Sequence, residues 1–407
     1  MKDRTFELKI EKLIYGGYGL GRHRGKVVFV PFSAPGDRLL VKAVEEKKTF
    51  TRAVIVKLLE PGSGRVEPGC QYFGSCGGCQ WQHLEYVRQV EAKRKILEEI
   101  FHHRFPGTKD LLIGMKACTR DYGYRSRARL QVTGSGPAPK IGFLRFQSHE
   151  VQDIHLCPLL QPTLNTALAS IRDSAKAAPA GSGPSEREIA CVEDSGTWSS
   201  ARAQAQSDFQ NDDAPPLQRR VGEYVYTVSP AAFFQANDFM LTELVQTAMQ
   251  LADPVARRSA LDLFCGVGLF TLPLAHRFET VRGVDSSRIA CDLARANANA
   301  AGLRNIQITC KGVTGWMESS RRTASQSIDL IVLDPPRTGA GPEVMNRIRE
   351  CAPEMIVYVS CDPQTLARDL ASIPAREYRI DYIQGLDLFP QTFHFETVVR
   401  LKRLNQM

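Results

Sequence analysis

Two residues in the last fifty have the types and settings that covalent catalysis needs. The apolar run MIVYVSC ends in Cys361, and Asp362-Pro363 then opens the helical pattern PQTLARDL as N-cap and first residue. The positive end of a helix dipole beside a thiol is expected to lower its pKa and enlarge the thiolate fraction, as a sulfur nucleophile requires. Further on, DLFPQTFHFETVVRL places Glu396 at the start of another apolar strand, where a carboxylate can act as a general base. Taken singly, each has a plainer reading, as an inert buried cysteine and as an exposed strand-end charge.

The elements around them remove that plainness. SALDLFCGVGLFTLPLAHR reads as a buried strand ending at Phe264, a turn with Gly266 and Gly268, and a helix. The next strand, VRGVD, ends in Asp285, 19 residues after Gly266. Glycines let backbone approach a ligand, and an acid at the end of the second strand accepts hydrogen bonds from ribose hydroxyls. A dinucleotide or S-adenosylmethionine would suit this pattern. The third glycine of a pyrophosphate site would fall at Thr271, so the phosphate-free methyl donor is the better fit. SIDLIVLDPPRTG puts Asp334 at another strand end, and acid-Pro-Pro there is a pattern of methyltransferases acting on nucleobases. Enzymes that methylate amino groups usually follow the prolines with an aromatic residue, whereas Arg337 follows here. From Leu261 onward, apolar strands alternate with helices, which means a parallel sheet with Phe264, Asp285, Asp334 and Cys361 at one edge.

A cysteine at such a site has a specific use. Carbon 5 of uracil is too weak a nucleophile to take a methyl group directly, but a thiolate added to carbon 6 turns the ring into an enolate that can. A base must then remove the carbon-5 proton. DLFCGVG, DPPR, VSCDP and FPQTFHFET occur in this order, and the set resembles the uracil-C5 RNA methyltransferase family over nearly the whole chain. The resemblance implies Cys361 as nucleophile and Glu396 as base, with Gln235 (in FFQAN), Phe264, Asp285 and Asp334 around S-adenosylmethionine. Leu269 stands where the family often has Asn, Gly312 near where it has Asp or Asn, and Asp285 in place of its Glu.

Eleven cysteines occur in a chain whose opening MKDRTFELKIEKLIY is no secretory leader, and no run of about 18 apolar residues is present. A cytoplasmic protein with reduced thiols and no membrane span is expected. CQYFGSCGGCQWQHL gathers Cys70, Cys76 and Cys79 at C-x5-C-x2-C spacing, and a fourth ligand would complete either a zinc or a [4Fe–4S] site. The family resemblance supplies Cys157 (in DIHLCPLL) as that ligand and points to the iron–sulfur cluster.

The organisation expected is multidomain α/β. Residues 1–60 alternate like the strands of a small OB-like barrel and resemble a TRAM domain through the Gly-Tyr-Gly-Leu-Gly turn at 17–21. They hold 13 Lys/Arg against 7 Asp/Glu within a chain of net charge +8, and Tyr15, Tyr18 and Phe50 there could stack bases. Residues 61–225 are read as a central mixed domain carrying the cluster and an RNA surface of Arg120, Arg125, Arg127 and Arg129. Within it 175–216, rich in Ala, Ser, Gly and Pro, reads as a flexible insertion. Residues 226–407 are the Rossmann-like class I methyltransferase domain. Barrel and cluster together are typical of the family branch that modifies large-subunit RNA, so the resemblance implies 23S ribosomal RNA as partner and a monomeric enzyme. The rival readings are an amino-group methyltransferase, a catalytically silent RNA-binding iron–sulfur protein, and a DNA cytosine-C5 enzyme, whose nucleophile typically follows a proline.

Overall fold

Period-two alternation in the first sixty residues closes a barrel. The computed structural model describes residues 5–134, 138–177, 185–192, 196–203, 217–320 and 328–404. Its first strands are β1 (Thr5–Leu13), β2 (Tyr18–His23), β3 (Lys26–Pro31), β4 (Arg38–Glu46) and β5 (Phe50–Glu60), joined in the order β1-β2-β3-β5-β4. Leu8, Ile10, Val28, Val30, Leu39 and Val41, alternate residues of three strands, fill the interior. Asp37 accepts hydrogen bonds from the Ala34 and Gly62 N–H groups and from Arg65, which ties the barrel to the segment after it.

Helix α1 (Tyr86–Arg104) turns Gln89, Lys93, Ile96, Leu97 and Phe101 inward at helical spacing. After it come β6 (Gly114–Lys116), β7 (Arg127–Thr133), β8 (Lys140–Leu144), β9 (Val151–Asp153), α2 (Pro162–Ala177), β10 (Ser185–Val192) and β11 (Gly196–Ala203). Five of these strands form a sheet in the order β11-β10-β7-β8-β9, with Leu164, Leu168 and Ile171 of α2 packed on it. The expected flexible insertion is thereby corrected in part. Ser185–Ala190 pairs antiparallel with Arg127–Val132, and Ile189 and Cys191 are buried. Surrounding Ala, Ser, Gly and Pro residues hid the short apolar run IACV. Residues 178–184, 193–195 and 204–216 of that stretch lie outside the described residues.

A hairpin of β12 (Leu217–Val221) and β13 (Tyr224–Val228) leads to α3 (Asp238–Leu251) and the C-terminal sheet. Its elements are β14 (Ser259–Leu263), α4 (Thr271–Ala275), β15 (Thr280–Asp285), α5 (Arg288–Ala300), β16 (Ile306–Cys310), α6 (Val313–Ser320), β17 (Leu330–Leu333), α7 (Gly341–Cys351), β18 (Met355–Ser360), α8 (Pro363–Leu370), β19 (Tyr378–Leu386) and β20 (Glu396–Arg403). The order is β16-β15-β14-β17-β18-β20-β19-β6, and β20 alone runs antiparallel to its neighbours. Strand β6, expected in the central domain, therefore completes the C-terminal sheet. Strands β14, β17 and β18 are buried throughout, as a sheet covered on both faces requires. The carboxyl ends of β14, β15, β17 and β18 line one edge, where open α/β sheets bind ligands. Among the described residues no helix is long and apolar enough to cross a membrane.

Candidate active site

The chain leaves β14 at Phe264 with φ +61°, a left-handed conformation rare for an aromatic residue. Gly266 (φ +54°) and Gly268 (φ +92°) continue the turn. That left-handed φ favours glycine at 268, where a Cβ would also stand 2.9 Å from Leu272 Cδ1 and press that side chain aside. The Gly266 and Ser287 N–H groups donate to the two oxygens of Asp285 at 2.9 and 2.8 Å, which holds that carboxylate over the glycine turn. Sequence reasoning missed Asp262. It is fully buried, Thr271 Oγ1 donates to its Oδ2 at 2.5 Å, and burial pushes its pKa up to about 7. That hydroxyl explains why Thr271 replaces the third glycine. The signal was present as an acid inside an otherwise apolar strand.

Cys361 and Glu396 meet through strand register. Ser360 at the end of β18 pairs with Thr397 of β20, so the two residues one step further, Cys361 and Glu396, stand at the same sheet edge. Glu396 is 2% exposed, and its Oε2 has no hydrogen-bond partner among the described residues. Burial first, and then the Asp334 charge, raise its pKa well above the carboxylate range, with Arg337 opposing. Asp334 is raised to about 7 by burial. The Cys361 thiol is pushed up to about 12 by burial and by the Glu396 and Asp334 charges, against Arg337. This corrects the expected low thiol pKa. Asp362 does cap α8 as expected, its Oδ1 accepting from the Gln364 and Thr365 N–H groups at 2.9 and 3.0 Å. The dipole argument considered that helix alone, whereas the fold also surrounds the thiol with two carboxyl groups and removes water.

A polar network grips the loop that precedes Glu396. Lys93 Nζ donates to Asp387 at 2.6 Å and to the Phe389 carbonyl at 3.1 Å, with both charged side chains wholly buried. The Gln80 and Trp81 N–H groups donate to the Gln391 carbonyl, Tyr124 to that of Pro390 and Asn237 to that of Leu388. Gln235 is buried two residues before Asn237, and among the described residues no hydrogen bond joins it to Asp285 or Asp334.

The expected RNA-facing side chains are largely spent on structure. Arg120 lies over Phe239 and Arg125 over Phe143, and Arg127 donates to the Pro230 and Ala232 carbonyls. Arg129 is exposed. Tyr15, half-buried, packs edge-on to Phe393 and Phe395, Tyr18 accepts from Gln147, and Phe50 packs on Phe29.

Cys70, Cys76, Cys79 and Cys157 line one cavity of about 20 Å³, with Arg125 in its wall. The Gly78 N–H donates to Cys76 Sγ at 3.4 Å. Burial raises the thiols of Cys79, Cys157 and Cys76, the last to about 11, and the neighbouring cysteines add to the rise. Among the described residues no three His, Cys, Asp or Glu side chains form a group able to hold a metal ion as they stand. The four thiols are nonetheless neighbours around a single void.

Known proteins match along the whole length. The tRNA (uracil-5-)-methyltransferase family model matches residues 202–404 and the TRAM domain model residues 1–56. The 23S rRNA (uracil(1939)-C(5))-methyltransferase RlmD of Pectobacterium atrosepticum is 34% identical, covering 94% of this chain and 90% of its own length. An RNA methyltransferase of Aquifex aeolicus is 30% identical over 99% of both chains. The solved Pyrococcus abyssi tRNA (uracil-54, C5)-methyltransferase in complex with S-adenosyl-L-homocysteine has TM-score 0.73 and 27% identity, covering 97% of this chain and 100% of its own.

Proposed function

As this chain belongs to the RNA uracil-C5 methyltransferase family, we propose that it methylates carbon 5 of a uridine in 23S ribosomal RNA through a covalent bond to Cys361. The observation that carries the mechanism is the register of β18 and β20, which sets a thiol and a carboxyl on one edge of the cofactor sheet. The relatives' ribosomal substrate favours 23S RNA and a cytoplasmic site of action.

S-adenosylmethionine would supply the methyl group on a sulfonium, held near Phe264, Gly266, Gly268 and Asp285 with Gln235 and Asp334 beside it. Cys361 adds as thiolate to carbon 6, forming a sulfur–carbon bond and moving the ring electron pair toward carbon 5. Arg337, a cation acting on both thiol and carboxyl, favours this ionised form. After carbon 5 has gained the methyl group, Glu396 as carboxylate takes its proton, the electron pair re-forms the ring double bond, and the sulfur leaves. A stacked base would hide carbon 6, so the uridine must flip out of its helix or come from a loop.

The thiols of Cys70, Cys76, Cys79 and Cys157 fit a [4Fe–4S] cluster: four soft donors surround one void, and a backbone N–H points at one of the sulfurs. Methyl transfer moves no electrons to a redox centre, so a cluster held by these four thiols would serve to brace the segment that grips Gln391. Mapping 5-methyluridine in 23S RNA from cells with and without the gene tests the function. An unchanged map would refute the ribosomal substrate.

A further inference from the structure

The barrel reaches the nucleophile itself. The turn between β1 and β2 carries Tyr15, whose hydroxyl donates to Asp362 Oδ2 at 3.1 Å across 347 positions of sequence. Asp362 thus divides its carboxylate, with Oδ1 capping α8 and Oδ2 receiving the barrel. Its backbone is also fixed, because the Asp362 N–H and the Ser360 hydroxyl bond each other's residues at 3.2 and 3.0 Å. Cys361 lies between these two clamped residues.

The turn is pressed against the other half of the site as well. The Tyr15 ring stands edge-on to Phe393 at 5.2 Å and to Phe395, the neighbour of Glu396, at 6.1 Å. Gly17 has φ +88°, and a Cβ there would come within 3.0 Å of Gln80 and 3.1 Å of Phe393. Its carbonyl accepts from Trp81 Nε1. Burial and Asp362 keep the Tyr15 phenol protonated, so it remains a donor.

We propose that Tyr15 is a positioning residue for the reaction, which fixes Asp362 and through it the attack geometry of Cys361, so that the barrel is a part of the active site as well as a holder of RNA. This rests on the reading of Cys361 as nucleophile. Because Tyr15 acts on the residue next to Cys361, the effect expected is on the chemical step and not on RNA affinity.

The test uses full-length enzyme in a Glu396→Gln background, where the methylated base stays attached to Cys361 and its appearance can be timed on denaturing gels. Adding Tyr15→Phe keeps the ring and removes the donor. With saturating RNA it should slow adduct formation about tenfold with unchanged RNA affinity, and lower the melting temperature by no more than the loss of one hydrogen bond to a charged group allows. Asp362→Asn keeps an oxygen for the cap and should slow it similarly. The two together should cost no more than about tenfold, since they act through one bond. An unchanged rate in Tyr15→Phe, a loss confined to RNA affinity, or additive losses would each overturn the inference. An adduct that forms in the Tyr15 parent but at another residue, or not at all, would instead remove the assignment of Cys361 and this inference with it.

Discussion

Glu396 opens β20 opposite Leu386 of β19, and one register step beyond Ser360–Thr397 it faces the end of β18 where Cys361 follows. Because β20 runs against the parallel strands, its first residue and the residue after β18 share an edge. In the proposed mechanism a thiol that acts before methyl transfer is thereby set beside a carboxyl that acts after it.

The unequal timing of the two groups gives distinct failures. Glu396→Gln should accumulate an RNA–protein adduct on a denaturing gel, and Cys361→Ala should give neither adduct nor product. The double variant should show no adduct. Wild-type turnover by Glu396→Gln would mean that another group takes the proton.

Arg337 is the cation that lowers both pKa values, so Arg337→Gln removes a stabiliser of the thiolate. The Cys361 pKa should rise further, and the acid limb of the pH profile for adduct formation should move to higher pH. Activity should fall several-fold relative to wild type, by a similar factor at pH 7 and pH 9 because both lie below a thiol pKa of about 12, given that a unit of pKa is tenfold in thiolate. A limb that stays in place or moves to lower pH would show that Arg337 does not act on the thiol.

Anaerobically purified protein should be brown and contain iron and sulfide at about four each per chain. Cys79→Ala should bleach it. Because Gln80 and Trp81 hold the Gln391 carbonyl, the same variant should also lower the rate of adduct formation. Zinc without sulfide would overturn the cluster.

Lys93→Met leaves Asp387 buried without its partner and should destabilise the chain by about 3–5 kcal/mol, read as a lower urea midpoint. Lys93→Met with Asp387→Leu should regain most of that loss. A single variant as stable as wild type would mean that water reaches Asp387.

Much of the site was legible in the sequence because its residues sit at the ends of apolar strands, and strand ends can be read from patterning alone. The glycine turn, Asp285, Asp334 and the Cys361 cap follow that rule. What escaped depends on groups distant in the chain. Burial of the thiol, with the charges of Glu396 and Asp334 added, reverses the dipole's expected effect, Tyr15 reaches across to Asp362, and Asp262 is explained only by Thr271 in the next helix. The strands β10 and β11 escaped for a compositional reason, their short apolar run lying among small polar residues.

Among the described strands β20 is last in chain order, yet it lies between β18 and β19 within the sheet. During synthesis from the amino end, the glycine turn and the thiol emerge before the carboxyl that completes the reaction. Until β20 inserts, β19 and β6 have no route to the rest of the sheet, and such late, long-range pairing is slow. In the proposed mechanism a nascent chain therefore carries a nucleophile without its base, and the insertion of one strand both completes the sheet and brings the two together.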